Sequence, residues 1–173
     1  AGAPFNTYVE QNIFKPLGMT RSSFILTPDL ESDLAQGYYY EGHENTPAPF
    51  DHSNDGPAGS LVTCGSDISR FMLAHLQDGR LGDSRILSEE TARLMHSRQF
   101  THHPELPGIA ISFMEDIVNG RRLIGHGGNW RGYTSRLVLD PVAQFGFFVS
   151  YNALSSSGGE NGLHVELVQA FYD

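Results

Sequence analysis

Gly125-His126-Gly127-Gly128-Asn129-Trp130-Arg131-Gly132-Tyr133 places one titratable imidazole directly ahead of two residues without side chains. Imidazole exchanges a proton near neutral pH, so it can orient a ligand or join a proton network. A strand end stripped of Cβ atoms lets that ligand lie against bare backbone donors while the imidazole reaches it. The plainer reading of the same letters is a glycine-rich turn that only reverses the chain. The flanking segments decide between the two.

Downstream of residue 108 the hydrophobic period is two. Ile109, Ile111 and Phe113 alternate with Ala110, Ser112 and Met114, which predicts a strand. Asn119-Gly120, between Ile117-Val118 and Arg121-Arg122-Leu123-Ile124, predicts a two-residue hairpin. Its return strand runs directly into Gly125-His126. Tyr133 to Leu139 reads as the next strand, Asp140-Pro141 as a turn, and Phe145 to Tyr151 as a fourth strand apolar enough to be covered on both faces. After the Ser155–Gly159 loop, Leu163, Leu167, Ala170 and Phe171 mark a helix face that would cover the sheet.

Upstream, the period is helical. Pro4 suits a first helical position, Phe5, Tyr8, Val9, Asn12 and Ile13 follow on one face, and Pro16 is the expected stop before the Leu17-Gly18-Met19 turn. Residues 20 to 62 carry little periodicity and many turn formers around Tyr38-Tyr39-Tyr40 and Asp51 to Gly59. So long an irregular stretch is usually functional or packed over a cleft, and Asp51-His52-Ser53-Asn54 would flank one. Ile68, Phe71, Met72, His75 and Leu76 then mark a helix capped by Gly65 or Ser66 and stopped by Gly79. On that face His75 reads as a core or boundary histidine and not a ligand. A shorter helix starts at Ser88, where Glu89 and Glu90 suit the positive N-terminal dipole. The expectation is an α+β fold of α/β-sandwich type, an antiparallel meander flanked by helices. It forms a single partial domain over 1–173, with helices and a long loop in 1–100 and the four-strand meander plus C-terminal helix in 101–173.

Composition narrows the partners. Twenty acidic against 11 basic residues give a net charge of −9, and the arginines are scattered, so neither nucleic acid nor an anionic membrane surface is expected to bind. No apolar run approaches the ~20 residues that span a bilayer. Cys64 is the sole cysteine, which excludes an internal disulfide and a multi-thiolate metal site, and its place before a helix suits a partly buried structural thiol. His102-His103 lies in a polar, proline-bounded loop, and even with His126 its spacing is poor for zinc. No cofactor or metal is expected. Ala1-Gly2-Ala3-Pro4 has neither the charged nor the apolar region of a signal peptide, and Asp173 stops inside a helix, so the chain reads as a piece of something longer.

In order along the chain, Asn12-Ile13-Phe14-Lys15-Pro16-Leu17-Gly18-Met19, Ala58-Gly59-Ser60-Leu61-Val62-Thr63 with Ser66-Asp67-Ile68-Ser69-Arg70-Phe71, and Gly125-His126-Gly127-Gly128 with Gly132-Tyr133 and Asp140-Pro141 resemble the serine β-lactamase and penicillin-binding-protein superfamily. The likeness is strongest to class C β-lactamases and their esterase- and peptidase-like relatives. It implies a β-lactamase/transpeptidase-like fold, here incomplete, and a bacterial periplasmic or envelope location. It also implies hydrolysis of an amide or ester (a β-lactam, a D-Ala-D-Ala-type peptide or a simple ester) through an acyl-enzyme. In that superfamily a Ser-x-x-Lys supplies nucleophile and base, a Tyr-x-Asn a second proton-transfer group, and a Lys/His-x-Gly strand the third wall. On the resemblance, His126 is that third-motif side chain and the Asn129 N–H an oxyanion donor. Gly127 and Gly128 would admit close substrate approach, and Trp130 would line the pocket mouth. The first two motifs are missing. Lys15 is the sole lysine and Asn12 stands three residues before it, while Tyr133-Thr134-Ser135 falls after the His-Gly-Gly and reads as strand. The alternative is a non-catalytic module that binds peptide or cell-wall fragments in the same cleft. Expected partners are a small-molecule or peptide substrate and, since exposed strand edges attract other strands, another chain that completes the sheet.

Overall fold

The computed structural model describes residues 2–51, 56–155 and 163–173. His52, Ser53 and Asn54, expected beside a cleft, and residues 156–159 of the Ser155–Gly159 loop lie outside them. Elements run α1 (Phe5–Val9), a π turn (Glu10–Phe14), α2 (Lys15–Leu17), α3 (Pro28–Glu31), β1 (Tyr38–Glu41), β2 (Glu44–Pro47), α4 (Gly65–Leu76), β3 (Arg80–Leu81), β4 (Ser84–Arg85), α5 (Glu89–His96), β5 (Met114–Val118), β6 (Arg121–Trp130), β7 (Tyr133–Asp140), β8 (Phe145–Tyr151), β9 (Ala153–Ser155) and α6 (Leu163–Tyr172).

The main sheet is the expected antiparallel meander, in the order β5-β6-β7-β8. On one face, Ile124 and Leu139 pack with Ile68, Met72 and Leu76 of α4 and with Ala110 and Phe113, while Leu137, Phe148 and Met95 close in around them. On the other, Leu123 and Val138 pack with Val168 of α6, flanked by Val118, Phe147 and Tyr172. The sheet is therefore sandwiched between helices, and the period of two explains which side each residue takes. A third cluster joins Val9, Phe14, Leu17 and Met19 to Ala74 on α4.

Several local expectations are corrected. Pro16 does not end the first helical stretch. The π turn resets the hydrogen-bond register and puts Pro16 in the first turn of α2, where its missing N–H has no partner to lose, and the stretch ends instead at left-handed Gly18. Neither Gly65 nor Ser66 caps α4; Cys64 holds the N-cap position, and its side chain meets the Ser66 hydroxyl at 3.1 Å and not a backbone N–H of the helix. The buried Asp67 in its first turn accepts from the Arg21 N–H at 2.7 Å and the Ser22 hydroxyl at 2.8 Å, tying the upstream loop to the helix. Ser88 caps α5 as expected, accepting from the Thr91 N–H. Residues 20 to 62 hold α3 and two strands of a small second sheet, β2-β1-β9, in which Tyr38, Tyr39 and Tyr40 pair parallel with Ala153, Leu154 and Ser155. On α6 the phase is shifted: Val168 is buried, whereas Leu167 and Phe171 are 39% and 57% exposed. Finally, the alternation over 109–114 is not one strand. Ile109 pairs back with Met114, and the chain reverses through Ile111-Ser112.

Candidate functional site

His126 lies inside a strand and not in a turn. β6 runs through Trp130, and Arg131 (φ 30°) and Gly132 (φ 86°) make the reversal into β7. Both positive φ values fit a two-residue type I′ turn, which closes on a hydrogen-bonded pair, here Trp130 and Tyr133. Alternation along the antiparallel ladder then commits the N–H and C=O groups of Trp130, Gly128, His126 and Ile124 to β7. The Asn119-Gly120 turn (φ 48° and 75°) at the other end of β6 gives the same answer independently. It closes on Val118 and Arg121 and turns the backbone groups of Arg121, Leu123 and Gly125 toward β5. By both counts Gly127 and Asn129 aim their N–H and C=O groups at the β5 side.

Nothing described meets them there. β5 pairs with β6 only as far as Met114 opposite Gly125. Immediately upstream, Ser112 takes a left-handed φ of 62°, and Ala110 and Phe113 close a turn with a 2.8 Å bond from the Ala110 N–H to the Phe113 carbonyl. The chain thus leaves β6 just where its glycines begin. The result is a sheet edge with two outward N–H donors, ~6.8 Å apart at ordinary strand rise.

Side chains around this edge divide by face. His126, Gly128 and Trp130 share the α4 face with Ile124, and His126 is solvent-exposed, outside the apolar interior. Gly127 and Asn129 carry the opposite face. There Arg136 of β7 reaches across to Asp116 of β5 and forms an ion pair. A Cβ on Gly127 would sit 3.3 Å from the Arg136 Nη1, so this cross-strand pair already accounts for glycine at 127. At Gly128 the nearest atom to such a Cβ would be the Ser135 Oγ at 3.8 Å, so nothing within the fold requires glycine. Gly125 is the structural one: its Cβ would lie 2.3 Å from the Leu137 carbonyl oxygen.

Past Asn129 the hairpin tip is docked on the loop that precedes residue 52. The Trp130 Nε1 donates to the Asp51 carbonyl at 3.4 Å, and Arg131 pairs with the Asp51 carboxylate at 2.8 Å while lying 5.7 Å from the Trp130 ring. The Tyr133 hydroxyl donates to the Ala35 carbonyl at 2.5 Å, and burial pushes that phenol's pKa up. None of these loop contacts had a local signal in the sequence, because each joins positions roughly 80 to 100 residues apart.

The other end of the site rests on two buried polar groups. Glu115 accepts from Arg122 at 2.5 Å, Arg98 at 2.6 Å and the Gly108 N–H at 2.7 Å. Burial alone would raise its pKa, but these donors outweigh it and hold the carboxyl below its usual range. Arg122 also donates to the His96 carbonyl at 2.6 Å. His96 and His75, both buried, share one hydrogen bond at 3.0 Å, with Phe71 and Phe113 edge-on to His75. Desolvation, reinforced by His96, lowers His75 to about 4, and burial lowers His96 as well, so both rings are neutral at pH 7. His75 is therefore the core histidine expected, with a partner no periodicity could point to.

Among the described residues no cluster of His, Cys, Asp or Glu has the geometry to hold a metal, and no helix is long and apolar enough to cross a membrane. The site is an open edge and not a chamber. An open groove of about 690 Å³ is lined by Lys15, Leu17, Ser66, Arg70 and Leu73, among others, and includes none of residues 125 to 133.

Residues 1–170 match the family model described as Beta-lactamase. A human relative described as beta-lactamase-like 1 is 26% identical over 151 residues, which is 84% of this chain and 29% of the relative. The octameric penicillin-binding protein homologue from Pyrococcus abyssi superposes with a TM-score of 0.73 at 24% identity, covering 87% of this chain and 34% of that one. A penicillin-binding protein from Bacillus halodurans gives a TM-score of 0.75 at 16% identity, covering 98% and 50%. The chain spans between about a third and a half of the length of these proteins.

Proposed function

This chain belongs to the beta-lactamase family, and from that premise we propose that it forms the His-Gly-Gly wall of a serine hydrolase site that cleaves an amide or ester through an acyl-enzyme. The substrate class is a β-lactam, a D-Ala-D-Ala-type peptide or an ester. The observation that carries the reading is the pair of outward N–H groups on Gly127 and Asn129 beside an exposed His126. A tetrahedral intermediate needs two preorganised donors for its oxyanion, and the Asn129 N–H is one of them. His126 orients substrate or passes a proton, Gly128 clears the α4 face for the acyl group, and Trp130 borders the mouth. No Ser-x-x-Lys occurs in the 173 residues, so the nucleophile and its base come from polypeptide outside this chain. A serine hydroxyl is a poor nucleophile until such a base takes its proton.

Two measurements test this. The 173-residue chain is expected to show no turnover of a chromogenic β-lactam or a p-nitrophenyl ester; burst kinetics with covalent labelling of one of its serines would overturn the division of roles. N-acyl-D-alanyl-D-alanine is expected to shift the Gly127 and Asn129 amide resonances of the chain, and unmoved resonances would remove the wall itself. A second reading, a non-catalytic module that binds peptide or cell-wall fragments, draws on the same missing Ser-x-x-Lys and would be favoured if those shifts appear but no serine hydrolase activity accompanies any longer form of the protein. We also infer a protein partner. β8 carries no charged residue, and by the same alternation Gly146, Phe148 and Ser150 aim their N–H and C=O groups away from β7. That edge suits a strand from another chain.

A further inference from the structure

Helix α4 carries two stripes. Ile68, Met72 and Leu76 pack against the main sheet, whereas Ser66, Ser69, Arg70 and Leu73, at three- and four-residue spacing, line the open groove of about 690 Å³. Leu17 and Gly18 at the end of α2, and Leu81 and Gly82 where β3 turns into β4, lie across from that stripe. The charge of the groove runs against that of the chain. Acidic residues outnumber basic ones 20 to 11, yet among the described residues no carboxylate lines the groove, while Lys15 and Arg70 do. Lys15 is already neutralised by Glu10 at 2.9 Å. Arg70 is not. Its Nη1 donates to the Leu17 carbonyl at 3.3 Å, beside Gly18, and that one long bond is its sole hydrogen bond among the described residues. Every other arginine pairs with a carboxylate or, as Arg85 does, donates to two carbonyls at 2.8 and 2.9 Å. A guanidinium has five N–H donors, so most of the Arg70 fork is unspent. One turn further along α4, Leu73 is 42% exposed.

We propose that this groove binds an amphiphilic monocarboxylate, with its head on Arg70 and its alkyl chain along Leu73 and Leu81. One cation without a carboxylate partner matches one negative charge. The planar guanidinium fork matches the two oxygens of a carboxylate with parallel N–H bonds, which a point charge such as Lys15 does not offer. The leucines beside it give an apolar chain somewhere to leave water, and the same cation repels an amine of equal length. The volume lies within the ~300 to 1,000 Å³ common for small-ligand sites, whose walls are mostly apolar with a few placed polar groups. None of residues 125 to 133 lines the groove, so this site is separate from the β6 edge and stands whatever that edge binds.

The test titrates octanoate, butanoate and octylammonium, each below its micelle concentration, into the 173-residue chain and follows the Leu73 and Leu81 amides and the Arg70 Nε–H. Octanoate is expected to shift all three resonances. Butanoate has the same head and should bind at least about tenfold more weakly, and octylammonium should move none of them. Arg70→Gln keeps a good helix former and should weaken octanoate by at least about fivefold. Leu73→Gln changes an exposed position outside the core and should bring octanoate and butanoate within about threefold of one another. Unmoved groove resonances with octanoate overturn the site. Equal shifts from octylammonium overturn it too, because they show apolar adsorption without recognition of charge, and so does full octanoate affinity in Arg70→Gln. Equal affinities for octanoate and butanoate in the natural chain remove the apolar half of the proposal. The Gly127 and Asn129 amides should not move; octanoate shifting those in place of the groove would put the carboxylate on the β6 edge and overturn this assignment.

Discussion

The main sheet has two stretches of edge backbone with no strand partner among the described residues, and their surroundings differ. At β8 the outward residues are Gly146, Phe148 and Ser150, in a strand of almost wholly apolar composition with helices packed over both faces. Such a strand has the makeup of a sheet interior, and its outward groups are the ones the proposed partner strand would meet. At β6 the outward residues are only Gly127 and Asn129. They are preceded by a turn that carries β5 away, flanked by an exposed imidazole, and closed at the far end by a docked hairpin. The first edge is long, uniform and apolar, whereas the second is short, bounded and polar. On the proposed reading one edge takes a permanent neighbour and the other a transient ligand; they present the same backbone groups and differ in length and side-chain chemistry.

The largest effect should come from the strand position where fold and site meet. Gly125 lies between two strands, opposite Met114 of β5 and Val138 of β7, and its Cβ would press on the Leu137 carbonyl. Gly125→Ala should destabilise by about 3 kcal/mol or more, because neither backbone can yield without breaking its ladder. Denaturant unfolding measures it, and a loss below about 1 kcal/mol would show that β6 has more freedom than its pairing implies.

Acid should separate the two edges. His75 is neutral in the folded chain down to about pH 4, but in the unfolded chain it takes a proton below about 6.5. Its contribution is therefore complete above pH 6.5 and is lost as pH falls toward 4, by about 3 kcal/mol at most, with the lowered His96 acting in the same direction. The pair lies under Phe113 and is joined through the His96 carbonyl to Arg122, on the β5–β6 side. Amide exchange at pH 5 should thus accelerate at residues 113 to 115 before it does at Phe147. Uniform acceleration across the sheet, or a His75→Phe variant with an unchanged pH profile, would count against the pair as its source.

How much of this was legible in advance depended on whether the cause was local. The Asn119-Gly120 turn, the Ser88 cap and the apolar run of β8 each carry their signal within a few residues, and each is where the sequence places it. The ordered series from the Pro16-Leu17-Gly18 turn to Asp140-Pro141 located the family, and His126 with its glycines located the strand. What escaped was set by partners far away. Tyr38-Tyr39-Tyr40 pairs locally with Glu44–Pro47, but its other neighbour, Ala153–Ser155, lies more than a hundred positions on. The alternation over 109–114 is genuine as a pattern, yet Ser112 at positive φ folds it back, a cost that the Glu115 network and the Met95 contact sustain from outside the segment. On α6, Leu167 and Phe171 satisfy helical periodicity as well as Val168 and Tyr172 do, and only the position of the sheet chooses between the two faces.

Proline makes a matched pair of probes for the two edges. Asn129→Pro and Ser150→Pro each delete one outward N–H and leave the bonds to β7 in place, the one setting in which a strand tolerates proline. Each should lower stability by about 1 kcal/mol, chiefly through the altered φ. Their functional effects should not overlap. Asn129→Pro should abolish the amide shifts produced by N-acyl-D-alanyl-D-alanine and leave association with another chain intact; Ser150→Pro should abolish association, read by sedimentation, and leave ligand binding intact. If either variant did both, the edges would not be independent.

The smallest change in stability should accompany the sharpest functional contrast. Gly127 and Gly128 are neighbours with the same letter, but the fold explains only the first. A methyl at 127 must displace the Arg136 guanidinium, and Gly127→Ala should cost about 0.5 to 1 kcal/mol by loosening the pair with Asp116. A methyl at 128 meets nothing closer than an ordinary contact with Ser135, and stiffening the unfolded chain should make Gly128→Ala neutral or stabilising by about 0.5 kcal/mol. If glycine at 128 clears the α4 face for a ligand lying beside His126, the same methyl should still weaken N-acyl-D-alanyl-D-alanine binding by about tenfold or more. Full affinity in a Gly128→Ala chain of undiminished stability would leave that glycine without a physical reason, and the α4 face of the edge would then not be where the acyl group lies.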